Sequence, residues 1–273
     1  MRIRLTLVIA AAVLLLAALD PGVAIAEQSS ERLVLRFGNQ TGTFSAAELL
    51  QRPDLSTLTI PFDVSYGRAM QYRAVPLRAL LSALPYRRFA VVQVAANDGF
   101  VAEIPTQLLS EGGAIPWIAV ENPRAPWPKF PKKAYGAGPF YLLWEHPQRS
   151  AIMSEQWVSN IGTLTGMESP LRRWPQLDAG AAASAEVRRG MDAFVTQCLP
   201  CHRFDGAGSS TVGPDLGRPM NATRYLTDDG FRALVRDPTS VRSWPAMRMP
   251  GFSSSILPNE TLDAILLYLK YKR

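Results

Sequence analysis

Cys198-Leu199-Pro200-Cys201-His202 contains both cysteines of the chain and one of its two histidines, and no other stretch narrows the possible folds as much. Two thiols separated by two residues can form thioethers to the two vinyl groups of one haem. The imidazole of the next residue then lies under the iron as its proximal ligand. A redox disulfide or half a zinc site would need a thioredoxin-like strand-to-helix setting or further Cys and His ligands nearby. Neither accompanies these positions. With both thiols committed to haem, no disulfide is left to staple the chain, so buried apolar surface must stabilise it.

The chain opens with the positively charged Met1-Arg2-Ile3-Arg4, then an apolar run from Leu5 to Leu19, then Ala24-Ile25-Ala26 before Glu27. This is the pattern of a signal peptide over residues 1–26, cleaved after Ala26, and the apolar run is short for a stable span of about 20 residues. An uncleaved anchor is the alternative reading. Export agrees with the haem motif, because covalent attachment occurs outside the cytoplasm, which in a bacterium means the periplasm. No integral membrane span is expected after cleavage. The remaining 247 or so residues exceed one domain of about 100–200 residues, so two domains are expected. The formal charge of +6 is scattered, apart from Lys129 to Lys133 with Arg124 nearby. That distribution argues against a nucleic acid partner and for docking to an acidic redox protein, such as a periplasmic dehydrogenase or oxidase.

Alternation from Leu33 to Phe37 predicts a strand, and Ser45 caps a short helical pattern through Leu50. Leu58 to Tyr66 reads as extended, and Pro76 opens the helical run Leu77 to Leu81. Phe89 to Ala95 and Phe100 to Ile104 form a hairpin about the polar turn Asn97-Asp98-Gly99. Ile115 to Val120 and Phe140 to Trp144 add strands, with a Pro- and Lys-rich loop from Glu121 to Ala137 between them. His146 is either a metal ligand or, as favoured beside Pro147, a surface or structural residue. Asp98 is either a catalytic carboxylate or the residue that a turn requires. Trp117, Trp127, Trp144 and Trp157 either line a site or fill the core. Trp127, between Pro126 and Pro128, is the one expected at the surface, and with Lys129, Lys132 and Lys133 it makes that loop a candidate contact for a partner or ligand.

This order of elements resembles the molybdopterin-binding domain of the sulfite oxidase superfamily. The pieces that carry the resemblance are Val75 to Leu81, Asn97-Asp98-Gly99-Phe100 followed by Glu103-Ile104-Pro105, Gly136 to Phe140, and Trp157 to Ile161. The resemblance implies a mixed α/β domain over residues 27–165. Enzymes of that superfamily hold molybdenum through a cysteine thiolate, and this region has no cysteine. It is therefore read as a cofactor-free member of the fold, and molybdopterin is not expected.

From Gly166 to Ser184 strand periodicity gives way to Pro, Gly and Ala, which marks residues 166–184 as a linker. A helix then starts at Ser184 or Ala185, with Val187, Met191, Phe194 and Val195 on one face, and delivers Cys198. Residues 185–273 resemble a class I cytochrome c domain. Gly190 and Phe194 match the family's first helix and Tyr268 its terminal helix, which Asn259 is placed to cap. Gly213-Pro214-Asp215-Leu216 matches the segment whose proline carbonyl accepts a hydrogen bond from the proximal imidazole. Leu226 to Arg236 reads as a middle helix capped by Thr227. Met249-Pro250-Gly251-Phe252 matches the family's Met-Pro-x-Phe, which implies Met249 as the distal ligand, with Met247 the alternative.

The expected architecture is α+β: a mixed α/β sulfite-oxidase-like domain followed by an all-α class I cytochrome c domain. The expected function is single-electron transfer through one covalent haem c, held by Cys198 and Cys201 and ligated by His202 and Met249. In this reading the N-terminal domain docks or scaffolds, and electrons pass at the haem edge near the two cysteines. The chain is then an electron carrier more than a catalyst. The alternative is a small molybdopterin-type oxidoreductase that passes substrate electrons to its fused haem.

Overall fold

The computed structural model describes residues 32–110, 113–131, 133–243, 247 and 249–273. The signal peptide reading and Lys132 lie outside the described residues. Among those residues, no helix is long and apolar enough to cross a membrane.

The fold is α+β. Its N-terminal half is built on two sheets. Strand β1 (Arg32–Phe37) buries Leu33, Leu35 and Phe37 on one face, as its alternation requires. It pairs with β2 (Gln40–Ser45), after which Ser45 caps α1 (Ala46–Leu50) in a reciprocal capping box with Glu48. Strands β3 (Ser56–Asp63) and β4 (Arg68–Pro76) follow, with α2 (Leu77–Leu81) entered directly from Pro76. The hairpin of β5 (Val91–Ala96) and β6 (Val101–Pro105) forms as its turn chemistry predicts, and α3 (Thr106–Ser110) leaves it. Strands β7 (Ile115–Val120), β8 (Phe140–Glu145) and β9 (Ile161–Met167) complete two sheets of order β2-β1-β9-β5-β6 and β3-β4-β7-β8. The first sheet is mixed, because β9 runs parallel to β1 and antiparallel to β5. The outer edge of β8 is covered where Leu142 and Val158 exchange backbone hydrogen bonds of 2.8 and 3.2 Å. That bridge covers the edge strand at Leu142.

The C-terminal half contains α4 (Pro170–Arg173), α5 (Ala185–Gln197), α6 (Asp228–Arg236), α7 (Pro238–Val241) and α8 (Asn259–Tyr271). Helix α5 crosses α8 at Gly190, where an added Cβ would overlap the Ala264 carbonyl. Phe194 and Tyr268 meet beside the crossing with ring centroids 5.5 Å apart. Asn259 does not cap α8. Pro258 holds the cap position, and the Asn259 carboxamide instead accepts from Arg236 Nη2 at 2.6 Å.

Residues 166–184 pack into the structure. Strand β9 runs on to Met167, and Leu177, Ala179 and Ala183 belong to the apolar core around α5 and α8. The Tyr268 hydroxyl donates to the Leu177 carbonyl at 2.7 Å. Arg173 of α4, mostly buried, pairs with the buried Glu103 of β6 at 2.5 Å. Beyond Met167 the chain runs through α4 and short turns that bury single side chains, which leaves no repeating pattern.

The tip of the β5–β6 hairpin sits on the loop that carries the cysteines. Val101 N–H donates to Pro200 O at 3.0 Å, and Gly99 O accepts from Thr211 N–H at 3.2 Å and from the Ser210 hydroxyl at 3.0 Å. Gly99 has φ +94°, and an added Cβ would overlap the Thr211 hydroxyl. Gly99→Ala is therefore expected to cost about 1–2 kcal/mol through backbone strain and lost docking. Urea unfolding of the variant beside wild type measures it.

Candidate haem site

Helix α5 is capped by Ser184, whose hydroxyl accepts from Val187 N–H at 3.1 Å, and it ends at Cys198. The next turn is closed by Cys201 N–H and His202 N–H, both donating to Cys198 O at 3.1 and 2.8 Å. This short turn brings Cys198, Cys201 and His202 to one wall of a cavity of about 300 Å³. Its other walls are mainly apolar, with Leu226, Phe231 and Val235 from around α6 and Leu262 and Ile265 from α8.

His202 Nδ1 lies 2.9 Å from Pro214 O. A carbonyl can only accept, so Nδ1 carries the proton and Nε2 keeps its lone pair. Burial lowers the imidazole pKa, against the opposing pull of this hydrogen bond, and favours the neutral ring that can bind a metal. Gly213 makes the approach possible. An added Cβ there would come 2.6 Å from both Cε1 and Nδ1 of His202. Asp215 secures the same loop by accepting four backbone N–H bonds, from Asp205, Gly206, Gly217 and Arg218, at 2.7–3.0 Å. Burial alone would raise the pKa of this carboxyl, but the four donors outweigh it and hold the group below its usual range.

Cys198 and Cys201 are free thiols. Burial, reinforced by the charge of Glu155, pushes the Cys198 thiol up to about 12 and Cys201 higher still. Redox-active dithiols depend on a depressed pKa, so this environment opposes the thioredoxin-like reading. Among the described residues, no group of three or more His, Cys, Asp or Glu could hold a metal ion.

Met249 and Met247 both line the cavity, and Met249 also packs against the apolar core. The residues after Met249 are clamped to the end of α6. Phe252 N–H donates to Val235 O at 2.9 Å, and Arg236 Nη1 donates to Phe252 O and Leu257 O at 2.8 and 2.6 Å. The donor set and the cavity fit a haem: two thiols, a neutral imidazole and two methionine thioethers line a cavity whose remaining lining is mainly apolar.

Other sequence candidates lie elsewhere. His146 is a surface residue with φ +54°, 3.8 Å from Glu145. Asp98 serves the hairpin turn, accepting from Phe100 N–H at 3.2 Å. Trp144 and Trp157 are buried. Trp127 corrects the sequence reading: it is partly buried, with its ring edge-on to Tyr72 at 5.0 Å, because the proline-flanked loop folds back over the sheet. Cys198 and Cys201 are partly exposed. Their side faces the N-terminal half, where Pro200 meets Val101, and Gln197 accepts from the Ser154 hydroxyl at 3.2 Å. Sequence reasoning missed Glu155, Gln197 and the anchoring role of Asp215. Asp215 follows the recognised Gly-Pro pair and could have been found there, whereas Glu155 meets the site only through tertiary folding.

Residues 187–272 match the family described as Cytochrome c, so the C-terminal region holds a cytochrome c domain. Such a domain implies covalent haem c. No curated protein matches the chain. Among solved structures, the sulfane dehydrogenase SoxCD from Paracoccus pantotrophus is similar at 16% identity over 51% of this chain, with a TM-score of 0.35. The match spans 38% of that chain, well under two thirds of its length.

Proposed function

We propose that this chain is an exported single-electron carrier whose cytochrome c domain holds one haem c through Cys198 and Cys201, with His202 and Met249 as axial ligands. The observation that carries this reading is the convergence of both thiols and a Pro214-locked imidazole on one apolar cavity. Haem c, when bound, supplies a one-electron couple, and a methionine ligand raises its potential.

The protein's own residues do the rest. Pro214 fixes the His202 ring and its tautomer, so that Nε2 is the free nitrogen. Phe231, Val235, Leu262 and Ile265 exclude water from the cavity. The N-terminal half, which we read as a sulfite-oxidase-like fold without a metal-binding thiolate, covers the cysteine side and acts as docking or scaffold module. A redox protein with an acidic face is the partner expected for a chain of net charge +6.

Elemental analysis of the mature protein, produced together with a haem-attachment apparatus, tests this reading alongside absorption spectra. One iron per chain, no molybdenum, and a low-spin spectrum with a ferric methionine–sulfur band are expected. Stoichiometric molybdenum would overturn the carrier reading and make the N-terminal half an enzyme.

A further inference from the structure

A second cleft, of about 400 Å³, lies where the end of α8 meets residues 204–224, and it shares no lining residue with the haem cavity. Three cations line it: Arg224, Lys272 and Arg273. Among the described residues of the lining, Asp205 is the one acid, and Arg218 Nε already holds it at 2.5 Å. The three cations have no carboxylate partner among the described residues. Lys272 Nζ donates to the Asp178 carbonyl at 2.8 Å, and Arg273 Nη1 reaches the Thr223 carbonyl at 3.5 Å, so both meet neutral acceptors. The Arg224 guanidinium makes no hydrogen bond or ion pair among the described residues, which leaves its fork of five donors unclaimed.

Like charges gathered in a concave site repel one another, and a bound anion relieves that repulsion. The C-terminal end of α8 opposes an anion with roughly half a negative charge. Two of its last carbonyls are occupied, Leu269 O by Asn221 Nδ2 at 2.9 Å and Tyr268 O by Lys272 N–H at 3.0 Å. Three full positive charges outweigh that end. A planar guanidinium beside an ammonium suits an anion with several oxygens, since the fork takes two of them and the point charge a third. The cleft is far larger than one such ion and has an apolar contact in Met220, which lines it and is 48% exposed.

We propose that this cleft is a second ligand site that binds a phosphate ester, with Arg224 on the phosphate oxygens, Lys272 and Arg273 beside it, and Met220 against the substituent. A phospholipid headgroup and a soluble phosphate ester share this chemistry. The site goes beyond electron transfer and does not depend on it. Arg224 belongs to the single turn Ala222–Arg224, while Ala222, Tyr225 and Leu226 line the haem cavity, so this short segment has one side on each site.

The test uses the full haem-loaded chain in its ferrous state, titrated with glycerol phosphate and followed by amide NMR, and floated with vesicles of phosphatidylglycerol or phosphatidylcholine. Saturable shifts are expected at residues 222–226 and 272–273, with inorganic phosphate competing. Arg224→Ala should weaken binding about tenfold or more without unfolding the chain, because the side chain has no partner to lose. Arg189→Ala removes an exposed cation that does not line the cleft and should leave binding unchanged. Flotation with phosphatidylglycerol alone, lost in Arg224→Ala, would make a lipid headgroup the source of the phosphate. Glycerol phosphate binding without flotation would make it a soluble ester, and either result supports the site. No saturable response to either probe, or an equal loss in Arg189→Ala, overturns the proposal. Tighter binding of polyglutamate than of glycerol phosphate also overturns it and makes the cleft a contact for an acidic protein.

Discussion

Gly190→Val is expected to cost about 3 kcal/mol or more and to abolish most haem retention. At this position α5 and α8 approach so closely that even a single Cβ would overlap the Ala264 carbonyl and lie 3.0 Å from Tyr268 Cβ. The obstruction is backbone, so no rotamer change can relieve it, and one helix must move. Movement of α8 would draw Leu262 and Ile265 out of the cavity wall and strain the Tyr268–Leu177 hydrogen bond that ties residues 166–184 to the core. Stability and haem binding should therefore fall together. Urea unfolding of the haem-free chain and iron content of the loaded chain measure the two effects. Full stability in the valine variant would mean that the crossing is looser than its geometry states.

The features that were legible in the sequence are those encoded locally. Ser45 and Glu48 cap α1 within four residues, Asn97-Asp98-Gly99 turns its own hairpin, and Val187, Met191 and Phe194 repeat at helical spacing to bury one face of α5. The same holds for the spacing within the Cys198–His202 turn, whereas the contact of Pro214 O with His202 was implied only by the resemblance to class I cytochromes c. Strand β2 was missed because Gln40–Ser45 is an edge strand without buried side chains, so its polar residues give no alternation. Strand β9 was missed because it lies between β1 and β5 and mixes Gly162, Thr163 and Thr165 with its buried residues. Trp127 and Glu155 are harder still. Each owes its environment to residues remote in sequence, Tyr72 in one case and Gln197 through Ser154 in the other. A local pattern cannot report a neighbour that only the fold supplies.

Met249→Ala should lower the reduction potential by a large share of the about 0.8 V that axial ligands span, and should erase the methionine–sulfur band, while Met247→Ala leaves both in place. Both thioethers line the cavity, so proximity alone does not choose between them. Anchoring does. Met249 packs on the core and is followed at once by a segment fixed to α6 through Phe252 N–H to Val235 O and through Arg236 to the Phe252 and Leu257 carbonyls. Gly251 is part of the same clamp, because an added Cβ there would come 2.5 Å from Arg236 O. A sulfur held at the start of such a segment loses little further entropy on binding iron, whereas Met247 lies two residues farther from it. The alanine variant would leave an iron position open to small ligands such as cyanide or imidazole, and added imidazole should bind Met249→Ala far more tightly than wild type. If Met247→Ala showed these changes instead, the distal ligand would be Met247, and the clamp around Arg236 would serve only to close the cavity.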